Sequence, residues 1–440
     1  MQTLLKKYIT IVFILFIGLG LQAIQRFPKP EFENGHVIPP TQISQVKPLF
    51  FEFLDIFVFV VTMSVVTWLV VKKRSRRGVF WMSVFSLLYF GFYRNGCICP
   101  VGSVQNISMG IFNPEYTVPL TAILFFTIPL GFTLFFGRTF CAGVCPLGAI
   151  QDLFAIRPLS MKPWLRYLLG LLPFIYSGLA VLFAATGSDF IVCRYDPFIG
   201  FFRHNGTAMM FIIGGILLLV SIVIARPYCR FLCPYGVLLN LVSRFSNRHI
   251  SIAPGKCINC RLCENACPFD AIEKPTGQVV KSDNRELVKK LIIYSFITPL
   301  LIVLCGWTVS RFHEKLAMVN FKVRLANEMY QQEQQNNGNN LPLEISAFKS
   351  SGEQVEKLYK EATAIISNFK TGSWILGAFL GLVFGLTLSR LTIFRYRSDY
   401  DVNKGTCLSC TRCLEYCPVK PQKSGFTNLK PIVETIDTKK

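Results

Sequence analysis

One spacing, C-x2-C-x2-C-x3-C-P, occurs twice in this chain. It is found at Cys257, Cys260, Cys263, Cys267 and Pro268, and again at Cys407, Cys410, Cys413, Cys417 and Pro418, with 139 residues between Cys267 and Cys407. Closely spaced thiolates are soft ligands, so the pattern points to a metal or iron–sulfur site. Three cysteines in a tight turn can hold three corners of a tetrahedral iron array, and the fourth comes from a residue that has moved away. Four thiolates also suit zinc, but the repeated short spacing, the proline and the paired copy weigh against it.

Two apolar runs, 291–309 and 374–391, lie between the copies. About 20 apolar residues cross the hydrocarbon core as a helix, because every backbone group must be bonded within the segment. Two crossings return the chain to its starting face, so both copies can meet on one side. Further candidate spans are 8–24, 53–71, 79–93, 118–136, 165–186 and 208–225, of which 79–93 is short. The first follows Lys6 and Lys7, as in a signal sequence, but no clear small-x-small site follows it, and a retained helix is expected. Hydrophobic residues make up 52% of the 440 and charged residues 16%, against about 25% charged in soluble domains. A polytopic α-helical membrane protein is the expected class.

The net charge of +21 would suggest nucleic acid in a soluble domain. Here it falls beside apolar segments, as in Lys72, Lys73, Arg74, Arg76 and Arg77, so positive-inside bias accounts for it and no nucleic-acid partner is expected. Placing that run in the cytoplasm puts 137–164 and 226–290 inside, 187–207 and 311–371 outside, and both termini in the cytoplasm. The polar stretch QQEQQNNGNN reads as a flexible loop between helix-like segments 312–332 and 353–369, in a spacer or docking element without a cofactor.

Four further cysteine groups share a pattern. Cys141 and Cys145 form C-x3-C-P-L-G, and Cys229 and Cys233 form C-x3-C-P-Y-G; Cys97 and Cys99 form C-x-C-P-V-G, and Cys193 lies in C-R-Y-D-P-F. FYRNGCICPVGSVQNI echoes FGRTFCAGVCPLGAIQDL, which reads as a repeat of hairpins with cysteine turns alternating between the faces. The inner face then offers four thiols; the outer face offers Cys97, Cys99 and Cys193, with Asp196 where the echo of Cys233 falls. For both sets metal or cluster ligation is one reading, with redox thiols and structural turns as alternatives for the inner set. The outer metal reading is the weaker, since a carboxylate is a hard substitute for a thiolate. Cys305, alone in a span, reads as a packed side chain. Haem fits poorly: none of His36, His204, His249 and His313 lies in a span, and there is no C-x-x-C-H.

The motif pair resembles the bacterial two-cluster ferredoxin, in which the fourth Cys of each copy ligates the other cluster. That resemblance implies one [4Fe–4S] cluster on Cys257, Cys260, Cys263 and Cys417 and a second on Cys407, Cys410, Cys413 and Cys267. The segments CAGVCPLGAIQD, CRYDP and CRFLCPYG resemble the membrane polyferredoxin superfamily, with its NapH-like quinol dehydrogenase components, the NosR membrane region, CcoG and PceC. The resemblance implies a bacterial inner-membrane electron-transfer subunit of an oxidoreductase system, fed by membrane quinol or a cytoplasmic donor. Its acceptor would be an extracytoplasmic reductase, flavoprotein or electron carrier. A redox maturation factor for a metalloenzyme and a membrane redox regulator are the alternatives. No flavin-attachment sequence is evident, so a flavin is expected only in a partner.

The implied fold is a polytopic helical membrane protein carrying a cytoplasmic, split, two-cluster ferredoxin-like α+β domain. Its expected parts are a helix and external segment (1–52), membrane helices with cysteine turns (53–245), the first ferredoxin half (246–290), a membrane helix (291–310), an external insert (311–372), a membrane helix (373–391) and the second half (392–440).

Overall fold

A computed structural model describes residues 49–96, 100–156, 158–252, 257–276, 284–335, 342–351, 354–392, 397 and 399–419. The expected span 8–24 and the cysteines Cys97 and Cys99 lie outside the described residues. The described residues are mostly helical, and among them four helices are long and apolar enough to cross a membrane: Phe50–Lys73, Pro163–Ala185, Val288–Ser310 and Val355–Arg390. Leu120–Phe136 and Ala208–Ser221 are shorter apolar helices at two further expected spans. At 79–93 the helix Arg76–Ser86 loosens into a π-helical stretch, Leu87–Tyr93.

The cysteine turns share one local construction. A short helix ends at or near a cysteine, as in Thr139–Gly143 and Pro227–Phe231, and a new helix starts at the following proline, as in Pro146–Phe154 and Pro234–Ser243. Cys145 and Cys233 are extended, with ψ of 115° and 112°. Proline excludes the helical region for the residue before it, and suits the first helical position because its missing N–H has no partner there. Asp196, before Pro197, has the same ψ of 115°.

The two apolar helices between the motif copies pack closely along their length. A Cβ added at Gly377 or Gly381 would strike the carbonyls of Cys305 and Leu301, and one at Gly385 would strike Thr298. Small residues four apart let backbones approach this closely in lipid. The second helix, Val355–Thr392, runs unbroken through the expected insert boundary at 372/373. Before that boundary, Leu358, Ala362 and Phe369 are buried with Val323, Leu325 and Met329 of the preceding insert helix in the core.

This hairpin delivers the two motif segments to one place. Strand β1, Ile272–Glu273, pairs antiparallel with β2, Asp401–Val402, Ile272 opposite Val402. The ladder continues as Asn403 N–H donates to Ala271 O at 2.8 Å. Asn403 Nδ2 donates to Glu273 Oε1 at 2.6 Å, and Tyr400 Oη to Glu264 Oε2 at 3.3 Å. The helices Leu262–Ala266 and Arg412–Tyr416 pack against each other.

Candidate functional site

Each motif copy folds into the same turn. Asn259 and Arg261 in the first, and Ser409 and Thr411 in the second, have φ of 52°, 62°, 53° and 62°. Left-handed residues interleaved with right-handed ones turn successive N–H groups into one concavity, the backbone nest that suits iron–sulfur sites. Accordingly, Ser409 N–H donates to Cys407 Sγ at 3.4 Å, and Ala271 N–H donates to Cys267 Sγ at 3.4 Å.

The thiols surround two hollows. Cys257, Cys260, Cys263 and Cys417 line one, and Cys267, Cys407, Cys410 and Cys413 line the other. Each hollow therefore takes three cysteines from one copy and one from the other. Among the described residues no three His, Cys, Asp or Glu donors converge as a lone ion requires; a donor shell around a hollow fits a cube of iron and sulfide. Burial pushes the Cys407 thiol up to about 12, with Cys410 adding to the rise, and pushes Cys413 and Cys267 up as well. A buried thiolate is costly without compensating positive charge, which bound irons would supply.

The inner membrane cysteines are also brought together. Cys145 and Cys229 are in hydrogen-bond contact, and Cys141 and Cys233 lie within electrostatic reach of Cys145. Gln151 Nε2 donates to Cys229 Sγ at 3.5 Å while its Oε1 accepts from Tyr228 N–H at 3.1 Å. Arg226 is 1% exposed and pairs with Asp152 at 2.7 Å. Burial alone would raise Asp152, but Arg226 and Arg76 hold it at about 2. The Arg226 guanidinium also donates to the carbonyls of Cys141 and Ala142.

Of Cys97, Cys99 and Cys193, the cysteines expected on the outer face, Cys193 alone falls among the described residues. It is exposed, and a Cβ on Gly102 would lie 3.0 Å from its Sγ. Asp196 does not stand free in place of the missing thiol. Its Oδ1 accepts from Phe198 N–H at 2.9 Å and its Oδ2 from Tyr228 Oη at 3.1 Å. This turn reaches inward: a Cβ at Gly214, midway along Ala208–Ser221, would lie 2.7 Å from Pro197 O. Tyr228 adjoins Cys229, so the outer turn at 191–203 touches the inner one.

Sequence reasoning passed over the residues that brace these turns. Gln105 accepts from Val192 N–H at 3.0 Å, just before Cys193, as Gln151 does before Cys229. The signal was present, because both glutamines stand six residues after a C-P cysteine in the two echoing segments. Arg138 and Arg230 were likewise missed, although each lies within three residues of a turn cysteine.

Two families, each described as 4Fe-4S binding domain, match this chain, one at residues 118–166 and 206–253 and the other at 250–273. YccM of Escherichia coli (strain K12), whose name assigns it provisionally to electron transport, is 30% identical over 38% of this chain and 52% of its own length. Regulatory protein NosR of Stutzerimonas stutzeri is 26% identical over 47% of this chain and 30% of its own. The methylamine utilization ferredoxin-type protein MauN of Methylobacillus flagellatus is 25% identical over 35% and 57%. The chain thus spans about half the length of the first of these relatives. No solved structure matches. By motif, matched segments and relatives, this is a membrane protein with 4Fe–4S binding domains that resembles the membrane polyferredoxin superfamily.

Proposed function

We propose that the protein is a membrane-bound iron–sulfur electron-transfer subunit, linking a quinol or cytoplasmic donor to an extracytoplasmic redox partner. The observation that carries this reading is the pair of four-thiol hollows, each assembled from both motif copies, one of them flanked by membrane turns that gather four more thiols. We assign Cys257, Cys260, Cys263 and Cys417 to one [4Fe–4S] cluster and Cys407, Cys410, Cys413 and Cys267 to the other. When bound, each cluster would supply a one-electron carrier.

The chain's own residues hold and tune these sites. The thiolates ligate, the N–H groups of Ser409 and Ala271 offset sulfur charge, and the surrounding apolar side chains exclude water. The motif segments 246–290 and 392–440 together form the split ferredoxin-like domain, placed in the cytoplasm beside the basic run at 72–77. Residues 311–372 lie on the opposite side and offer a docking element. The hydrocarbon core is about 30 Å thick, so donor and acceptor sites on opposite faces need intermediate stops. The inner cysteines, and the outer turn that meets them through Asp196 and Tyr228, occupy that interval.

Counting iron and sulfide per anaerobically purified chain tests this reading. About eight irons supports the ferredoxin pair, and about twelve adds a site on Cys141, Cys145, Cys229 and Cys233. Reconstitution in vesicles separates the functions: steady electron flow from quinol to an external acceptor supports electron transfer. An iron-loaded protein without such flow, beside an under-metallated partner enzyme, supports maturation.

A further inference from the structure

The two motif copies have the same spacing and the same turn, so nothing local ranks them along an electron path. Their surroundings do. Arg138, 6% exposed, belongs to the first inner membrane turn. Its Nη1 donates to Gly405 O at 3.0 Å, two residues before Cys407, and its Nη2 lies 3.8 Å from Cys141 Sγ. One guanidinium therefore bridges a membrane thiol and the loop that enters the second hollow.

The second membrane turn grips the other flank of the same hollow. Arg230, beside Cys229, donates to Pro268 O at 3.4 Å and pairs with Asp270 at 3.1 Å, just after Cys267. A Cβ on Gly137 would lie 3.5 Å from Ser409 Oγ, between Cys407 and Cys410. Neither hollow is lined by residues of the membrane turns, but these arginine contacts all fall on the flanks of the second; the first is lined by Ile252, Ile258, Arg261 and Tyr400, with Cys260 exposed at its edge.

We infer that the site of Cys267, Cys407, Cys410 and Cys413 is the one that exchanges electrons with the inner membrane cysteines, and that Arg138 is the positioning residue for this step. The inference rests on the electron-transfer reading above. The step would move one electron and no atoms: a cluster held by Cys267, Cys407, Cys410 and Cys413 would give up one electron as a cluster held by Cys141, Cys145, Cys229 and Cys233 gains it, or the reverse. The Cys257 site stands farther from the membrane and meets the cytoplasmic side. A fixed cation beside the second hollow also favours its reduced, more negative state, since cluster potentials follow nearby charge and hydrogen bonding.

The test uses the full-length, cluster-loaded protein in detergent, with an EPR-monitored redox titration and iron counted per chain. R138Q is expected to shift the reduction equilibrium of the second-site signal toward the oxidised form by up to about tenfold, about 59 mV for one electron. The first-site signal should stay in place and R138K should restore the shift. R261Q, beside the first hollow, should move the first-site signal alone. C141A should change the spin relaxation of the second-site signal and leave the other unchanged. Because R138Q could loosen the domain and lose iron, C141A decides independently: equal relaxation changes at both sites, or none at the second, overturn the order. A shift of the first-site signal in R138Q at full iron content also overturns it. A wild-type protein without two reducible signals would instead remove the reading on which the order rests.

Discussion

The Cys257 and Cys407 segments share a cysteine spacing and a pair of left-handed residues, at 259 and 261 in one and at 409 and 411 in the other. They are nevertheless placed in different worlds. Around the first hollow Ile258 is 65% exposed and Tyr416, beside Cys417, is 59% exposed. Around the second, Cys413 and Leu408 are buried, and arginines from two membrane turns clamp the flanking backbone. Ligation is a property of the turn, which eleven residues can specify. Access and potential are properties of what the turn is set against, and identical turns can differ in both.

The crossed ligand sets offer the sharpest way to break this comparison. Cys267→Ser removes a thiol that lies in the first copy by sequence and in the second hollow by structure. About four irons per chain should be lost, and the EPR signal that disappears should be the one also removed by Cys410→Ser. Loss of the signal that depends on Cys260 would instead return each copy to its own cluster.

Anchoring gives the next largest effect. Arg230 and Asp270 are each largely buried, with side chains 9% and 14% exposed. Removing one partner of a buried pair costs roughly 3–5 kcal/mol, because the remaining charge is left without compensation. Arg230→Met should therefore lower the denaturant midpoint at which the second-site signal is lost and leave the first-site signal until a higher concentration. Simultaneous loss of both signals would show that the two hollows form one cooperative unit.

The smallest effect is a pH dependence of opposite sign in the metal-free and loaded proteins. Burial raises Cys407 from its ordinary 9.0 to about 12 in the folded chain, so the neutral thiol is favoured there. A group whose folded value is raised contributes stability below its unfolded value and loses it as pH climbs through the folded one. Metal-free protein should thus become easier to unfold with urea between pH 9 and 12. Cluster loading needs thiolates, so incorporation of iron and sulfide should improve as pH rises. A metal-free protein whose urea midpoint is flat across that range would show that Cys407 is not held as a neutral buried thiol.

Much of this arrangement was legible because its determinants are local. The C-P pairs at Cys145 and Cys233 specify a break and a restart of helix by sterics alone. The apolar runs between the copies required an even number of crossings if the copies were to meet, and β1 pairing with β2 is the local form of that meeting. What holds Asp196, which stands where the echo of Cys233 falls, was not legible, because its partners, Phe198 N–H and Tyr228 Oη, include one 32 residues away. That the helix Val355–Thr392 runs unbroken through the hydropathy change at 372/373 was not legible, since a helix continues through such a change when its polar end packs on an insert of its own.

The amino-acid sequence alone determined the thiol spacing, the turns that present it, the apolar segments and the bias of charge along them, because each depends on neighbours within a few residues. Only the tertiary structure decided which hollow faces the membrane turns, and that Arg138 stands between Cys141 and Gly405, 267 residues apart from the latter in the chain. Such contacts follow from how packed helices bring distant backbone together, and no local preference of either residue encodes them.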